Sequence, residues 1–472
     1  MTIKRIAAGF LFFFLVFLVS CENIESSVDQ STVSEEESLQ DDEEASNLPV
    51  TRDFEDSEFV VAVSDEMAMA FSPDEEGENI VGAAVRKRNQ LIENNYNATL
   101  RTKLVKIDTA EEEIKNSLLS GTQFADLLSL PGNILASLVE QECLFNLLSS
   151  EDFNIENSYI NTEAAKKLAL NNSLYVLYDS ATQYFDNAWA VFYDKELMKN
   201  NGLSDPTLLV SSGDWTWDRF LEYSELIAYK VMTKGSSDLK TDIFGFGAFR
   251  PDTELPLVMW ESCGFSMFGE TYGQTVSVKA DIDEIKEITD YIKNIYNNKS
   301  RYSLQHSDVS DAFDEGRLGF YIQKLEYCAA IADSEREWGI IPLPKLNKEQ
   351  PNYCSFIDPK GPALAVPSNV FEPKKSIFLL NAFSAASDNS IKKAVYDKYV
   401  NLFLRNNSST IMLENIFSTL YFDPAALYGS GIEIFSKTTT DVVIEAIVNN
   451  GPISVMDKLT ESFLEYSAEK FK

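Results

Sequence analysis

One histidine in 472 residues limits the chemistry open to this chain. A Ser-His-Asp hydrolase and most zinc sites need imidazole, and His306 stands in the polar run Leu304-Gln305-His306-Ser307-Asp308, where a solvated loop position is its ordinary role. Two carboxylates would suffice for a surface glycosidase, one as acid and one as base or nucleophile, but among 74 Asp and Glu no pair stands out. No Gly-x-x-x-x-Gly-Lys sequence and no Gly-x-Gly-x-x-Gly after a strand is present, so nucleotide use is not expected, and neither a metal nor another cofactor is called for. The legible chemistry belongs to Cys21. Lys4 and Arg5 lead into an apolar run, Ile6 to Val19, that ends in Leu18-Val19-Ser20-Cys21, a secretory signal (residues 1–20) closing on a lipobox. A small residue before the cysteine admits the signal peptidase, and the Cys21 thiol then becomes the diacylglycerol attachment point and the mature N-terminus. The run is shorter than the roughly 20 residues that span a bilayer, so the expectation is a chain held to the membrane by lipid on Cys21. Cys143, Cys263, Cys328 and Cys354 remain, without Cys-x-x-Cys spacing. An oxidising compartment permits one disulfide among them, but spacing does not fix the pairing.

The elements that must position any site begin after an acidic stretch. Residues 21–58 are dense in Glu, Asp and Ser, with Arg52 the only basic residue, and read as a self-repelling tether. The roughly 410 residues that follow exceed what one core usually serves, so two domains are expected. With 40 basic against 74 acidic residues and a net charge of -34, binding to nucleic acid is disfavoured. Phe59 to Val63, Thr99 to Ile107 and Ala125 to Leu130 read as strands separated by helices at Asn79–Asn95 and Ala110–Ser120, the alternation of a parallel sheet covered by helices. A second series follows: a strand at Ala188–Tyr193, a short helix stopped by Gly202, a strong helix from Thr216 to about Met232, the run Phe244-Gly245-Phe246-Gly247, helices at Asp283–Asn297 and Asp308–Glu315, and a strand at Leu318–Ile322.

Four segments in this order resemble one family. Gly213-Asp214-Trp215-Thr216-Trp217-Asp218-Arg219-Phe220 is similar to its helix start, after Tyr193-Asp194-Lys195-Glu196-Leu197 and Asn201-Gly202-Leu203. Phe313-Asp314-Glu315-Gly316-Arg317-Leu318-Gly319-Phe320 resembles its turn into a strand. Trp338-Gly339-Ile340-Ile341-Pro342-Leu343-Pro344 with Gly361-Pro362-Ala363-Leu364-Ala365-Val366-Pro367 resembles its pair of proline-flanked strands. The family is the extracellular solute-binding proteins of ABC importers, in particular the sugar-binding group that includes maltose-binding protein, and Glu76-Gly77-Glu78 with Ala84 to Asn89 is similar to its Gram-positive lipoproteins. The resemblance implies an α/β fold of two discontinuous lobes, a type II periplasmic-binding-protein architecture with the ligand between them and a hinge. The expected division is 59–180 plus 366–418 for one lobe and 181–365 plus 419–472 for the other, with crossings near Tyr175–Trp189, Gly361–Pro367 and Ser418–Tyr428. It also implies a monomer that delivers its solute to ABC permease subunits.

A sugar offers hydroxyl edges and apolar faces, so its site needs flat rings and groups that accept hydroxyl hydrogen bonds. The resemblance directs attention to Trp189 in the first crossing, to Trp260 and Phe265 in the second lobe, and to Tyr321 after the Gly316 turn. Asp65 and Glu66 follow the first strand, at the carboxyl end where open α/β sheets bind ligands, and Asp126 lies on the third or caps the next segment. Trp215, Trp217 and Trp338 are assigned to packing. The competing readings are a binding protein for peptides, polyamines or another cation, a sensor or adhesion lipoprotein, and the glycosidase.

Overall fold

The computed structural model describes residues 48–471 apart from 51, 74–78, 235–237, 239, 249–252, 270–271, 276, 278–281, 299–302, 305–308, 389, 405–406, 439 and 450–463. The signal segment, Cys21, most of the tether, Glu76-Gly77-Glu78 and His306 therefore lie outside the described residues.

Two sheets form the framework. In the first, β1 (Ser57–Ser64) buries Val61, Ala62 and Val63 in succession, the pattern of a strand covered on both faces. The helix Ile80–Tyr96 follows, opened by the Asn79 side chain on the Val81 amide (3.0 Å) and closed by Asn97 in the left-handed conformation, φ 47°. Its buried residues Val81, Val85, Arg88, Ile92 and Tyr96 recur three or four apart and make one inward stripe. β2 (Ala98–Val105) then pairs parallel with β1, Ser57 opposite Ala98, and after the helix Ile107–Ser120 the chain returns as β3 (Leu127–Pro131) on the other side of β1. Asp126 sits at that return, buried, accepting the Val60 amide and the Gln123 amide nitrogen at 2.8 Å each, so it stitches β1 to the turn before β3.

The second sheet has the order β6-β5-β7-β4-β8, with β4 (Trp189–Asp194), β5 (Phe244–Ala248), β6 (Ser303–Leu304), β7 (Leu318–Lys324) and β8 (Trp338–Ile341). Here β5 runs parallel to β6 and β7, and β4 antiparallel to β7 and β8. The tryptophans at the Gly213 turn pack as assigned. Trp215 is fully buried with its indole N–H on the Pro342 carbonyl (3.0 Å), and Trp217 opens the helix Trp217–Lys234 with its indole N–H on Ser262 Oγ (2.9 Å). Phe-Gly-Phe-Gly in β5 has a steric cause: a methyl group on Gly245 would meet the Ser224 backbone at 2.2 Å, so only glycine lets this helix lie on the strand. Asp194, where the resemblance has asparagine, caps the helix Lys195–Asn200 through the Leu197 amide (2.7 Å) and pairs with Arg336 at 2.6 Å.

The chain passes between the sheets three times. Leu177 bridges to Leu364 on the first side, and Ala188 bridges to Ile357 just before β4. Returning, it runs from β8 through β9 (Ser355–Phe356) to β10 (Pro362–Ala365). The third passage carries β11 (Leu420–Tyr421), parallel to β9, between the helices Asn407–Ser418 and Pro424–Gly429.

Two expected boundaries move. β10 pairs antiparallel with β3, so residues 362–365 belong to the first sheet, and the second passage ends before them instead of at 365/366. The tether ends earlier than residue 58: Leu48 packs on the core, the Tyr96 hydroxyl donates to the Pro49 carbonyl (2.9 Å), and buried Phe54 meets Phe59 and Phe378 at 4.9 and 5.1 Å. A few apolar residues inside an acidic average are enough to dock the segment.

Candidate functional site

The three passages build the base of a cleft of about 1020 Å³ between the two sheets and their helices. Rings from the first and third passages lock together there. Tyr184 stacks on Phe185 (4.3 Å) and meets Phe422 (5.7 Å), Tyr178 meets both Tyr184 (5.9 Å) and Phe422 (5.3 Å), and Phe185 meets Phe417 (5.1 Å). Pairs at these separations add attraction beyond the area they bury, so the hinge is an aromatic cluster instead of a polar loop.

The first-lobe wall comes from Ser158–Ala164, the start of the helix Thr162–Leu168, and the turn Asp179–Phe185. Asn161 caps that helix on the Ala164 amide (3.2 Å) and donates to the Tyr184 hydroxyl (3.2 Å), while Tyr159 stands half-buried beside it. Behind the turn lies Arg88, 1% exposed, bonded to the carbonyls of Ala70 (2.8 Å) and Ala181 (3.3 Å), with Phe71 and Phe383 at 5.0 and 4.8 Å. Burial lowers its pKa to about 9 against the pull of Asp179. Asp179 in turn is raised to about 6 by burial, opposed by the Ala181 amide and Arg88. The two groups are therefore mutual supports of one cleft wall.

The second-lobe wall is Cys263-Gly264 and Gln350–Cys354. Beyond Gly264 the cleft continues into a chamber of about 810 Å³ lined by Phe265, Ser266, Phe268 and Tyr272, sharing Glu163, Lys167, Gly264, Tyr421 and Phe422 with the first. Lys167, exposed at this junction, stands over the Tyr421 ring at 4.4 Å. Beneath the wall the Glu261 carboxyl is fully buried, and neither oxygen has a hydrogen-bond partner. Burial and neighbouring Asp423 push its pKa well up, with Lys167 opposing. Asp423 caps the helix Pro424–Gly429 on the Ala426 amide (3.1 Å), accepts from Ser266 Oγ (3.3 Å), and is itself raised to about 6 by burial.

The cleft lining offers rings for the faces of a sugar and amides and carboxylates for its hydroxyls, from both lobes. Of the residues picked from the sequence, Phe265 lines the second chamber. Trp260 is buried directly beneath it, edge-on at 5.2 Å, and lines neither chamber. Trp189 is buried at the start of β4 and borders a separate pocket of about 130 Å³ with Glu254, Phe356 and Lys360. Tyr321 is buried against Tyr327 (4.9 Å) and accepts from Gln323 (3.1 Å). Asp65 and Glu66 are exposed on the turn Asp65–Ala70, outside both chambers, and Asp126 is the structural stitch already described. The sequence reading missed Tyr184, Phe185, Tyr421 and Phe422, although both ring pairs stand inside the passages it placed; the doublets themselves were the available signal. Among the described residues, no group of three or more His, Cys, Asp or Glu is arranged to hold a metal ion, and no helix is long and apolar enough to cross a membrane.

This is the two-lobed, type II fold of the solute-binding proteins. By sequence the chain matches no protein-family model and no curated relative. By structure it is similar to the galacto-N-biose/lacto-N-biose I-binding protein of the ABC transporter of Bifidobacterium longum, in complex with lacto-N-biose, at TM-score 0.57 and 13% identity over 89% of this chain and 98% of that one. It is similar to UgpB of Mycobacterium tuberculosis, in complex with glycerophosphocholine, at TM-score 0.54 and 13% identity over 87% and 98%. An ABC substrate-binding protein of Listeria monocytogenes in complex with cycloalternan gives TM-score 0.51 and 14% identity over 88% and 100%. The Bifidobacterium and Listeria neighbours are binding proteins.

Proposed function

We propose that the chain is the extracytoplasmic substrate-binding component of an ABC importer, capturing a sugar or oligosaccharide by hinge closure and delivering it to the membrane permease. The observation that carries this reading is the cleft walled by both lobes over three passages, because a ligand touching both walls binds best when they close and so shifts the population to the closed form. Rings and amides on the lining favour a carbohydrate cargo, and two of the three neighbours named above hold oligosaccharides. The protein acts as a monomer and not as an enzyme, held on the outer face of the membrane by lipid on Cys21 in the manner of Gram-positive lipoproteins, with the acidic residues up to about 47 as spacer.

The test is thermal unfolding of the chain from Leu48 onward against mono- and oligosaccharides, glycerophosphodiesters, peptides and polyamines. A ligand at 100 times its Kd adds about 2.7 kcal/mol of stability. Stabilisation by a saccharide supports the reading. Stabilisation only by another class replaces the cargo, and cleavage of a glycan replaces the function.

A further inference from the structure

Cys263 and Cys354 come together on the second-lobe wall. Cys263 ends the helix Glu254–Ser262, and Cys354 immediately precedes β9, on the passage back to the first lobe. The Gln350 side chain ties the two places: its amide nitrogen donates to the Ser262 carbonyl at 2.9 Å and lies 3.8 Å from Cys354 Sγ. A methyl group on Gly264 would lie 2.8 Å from the same sulfur, so Cys354 Sγ presses on the backbone one residue after Cys263. Cys354 Sγ thus packs against the residue next to Cys263, whose own Sγ donates to the Met259 carbonyl at 3.2 Å, both thiols being free in this structure; rotation of the Cys263 side chain off that carbonyl is the movement a disulfide requires. The thiols of Cys143 and Cys328 stand elsewhere. Cys143 turns to the Gln141 carbonyl (3.5 Å) in the first lobe, and Cys328 is buried near Asp186 and Lys398.

We propose that Cys263 and Cys354 are joined by a disulfide made as the chain folds under oxidising conditions, pinning the segment that enters β9 to the Glu254–Ser262 helix. The two thiols give up two protons and two electrons as the Sγ–Sγ bond forms, and an external disulfide such as oxidised glutathione takes them up and becomes two thiols. Burial raises both thiols, Cys354 to about 11, and leaves little thiolate once the wall has closed. The bond therefore belongs to folding and not to a later exchange at the finished surface. It closes a loop of about 90 residues, which restricts the unfolded chain and stabilises the second lobe, and it fixes one edge of the cleft.

The experiment folds the full chain from the reduced, denatured state in a buffer of reduced and oxidised glutathione, verifies the fold by near-ultraviolet circular dichroism, blocks free thiols and maps the peptides by mass spectrometry. The expected result is a peptide joining Cys263 to Cys354, with Cys143 and Cys328 blocked as free thiols, and a midpoint of thermal unfolding that falls by about 5 °C on reduction. A folded chain in which Cys263 and Cys354 are both blocked, or in which either is joined to Cys143 or Cys328, overturns the proposal. This pairing does not depend on the cargo proposed above, and a failed ligand screen leaves it standing.

Discussion

The two walls of the cleft are held in different ways. On the first-lobe side a buried arginine satisfies the carbonyls of two turns and its charge opposes the burial-raised pKa of Asp179. On the second-lobe side a buried carboxyl without a hydrogen-bond partner, a second raised carboxyl, two thiols and a glycine at φ +66° share one corner. An unsatisfied buried polar group costs stability and persists where the surroundings enforce it, often beside functional surfaces, whereas a glycine takes left-handed backbone at little cost. The first wall is therefore backed by an arginine with satisfied partners, and the second by a carboxyl that nothing satisfies.

The largest expected effect breaks the first wall. Arg88→Met leaves the Ala70 and Ala181 carbonyls without their donor and removes the positive charge that opposes the rise of Asp179, and should cost about 3 kcal/mol in denaturant unfolding; adding Asp179→Asn should recover the electrostatic part of it.

Relief, not damage, is expected on the other side. Asp423 is raised from 3.8 to about 6, so its contribution to stability is full below about pH 4 and is lost as pH rises through about 6. Asp423→Asn keeps an oxygen for the cap and turns its amide nitrogen to donate to Ser266 Oγ, and should gain about 3 kcal/mol at pH 7 with a flatter profile between pH 4 and 6. A loss at pH 7 would contradict the assignment of strain to this corner.

Gly264→Ala should cost about 1–2 kcal/mol, because the left-handed backbone and Cys354 Sγ both oppose a Cβ. Pairing it with Cys354→Ala under reducing conditions, where no disulfide contributes, should return the steric part only, which separates the two causes. Smallest in stability is Phe265→Ala, expected within about 1 kcal/mol of the parent in unfolding but about tenfold weaker for a saccharide, read by titration calorimetry.

Much of this fold was legible because its signals are local. Phe59–Val63 and Ala125–Leu130 are short apolar runs between helical stripes, Gly121 and Gly202 stop helices, and the Gly213–Phe220 motif sits where its tryptophans can bury. The site was less so. Trp189, in a passage, and Trp260, in the second lobe, were chosen because large rings suit a sugar, yet a tryptophan is as readily consumed by packing, and here Trp260 supports Phe265 from below. Arg88 falls on the apolar stripe of its helix, a position where sequence predicts aliphatic side chains, and the partners that explain it, Asp179 and Ala181, are some ninety residues away. β10 was placed on the wrong side of a boundary because a strand of Ala and Leu carries no mark of the sheet it joins; its pairing with β3 decides that.

The central claim is that ligand binding closes one wall on the other. Small-angle X-ray scattering of the chain from Leu48 onward, with and without the saccharide that most stabilises it, tests this directly. A radius of gyration that falls on saturation, with Phe265→Ala needing about tenfold more saccharide for the same fall, is the predicted result. Saturation with no compaction would contradict it and leave a rigid receptor in place of a closing one.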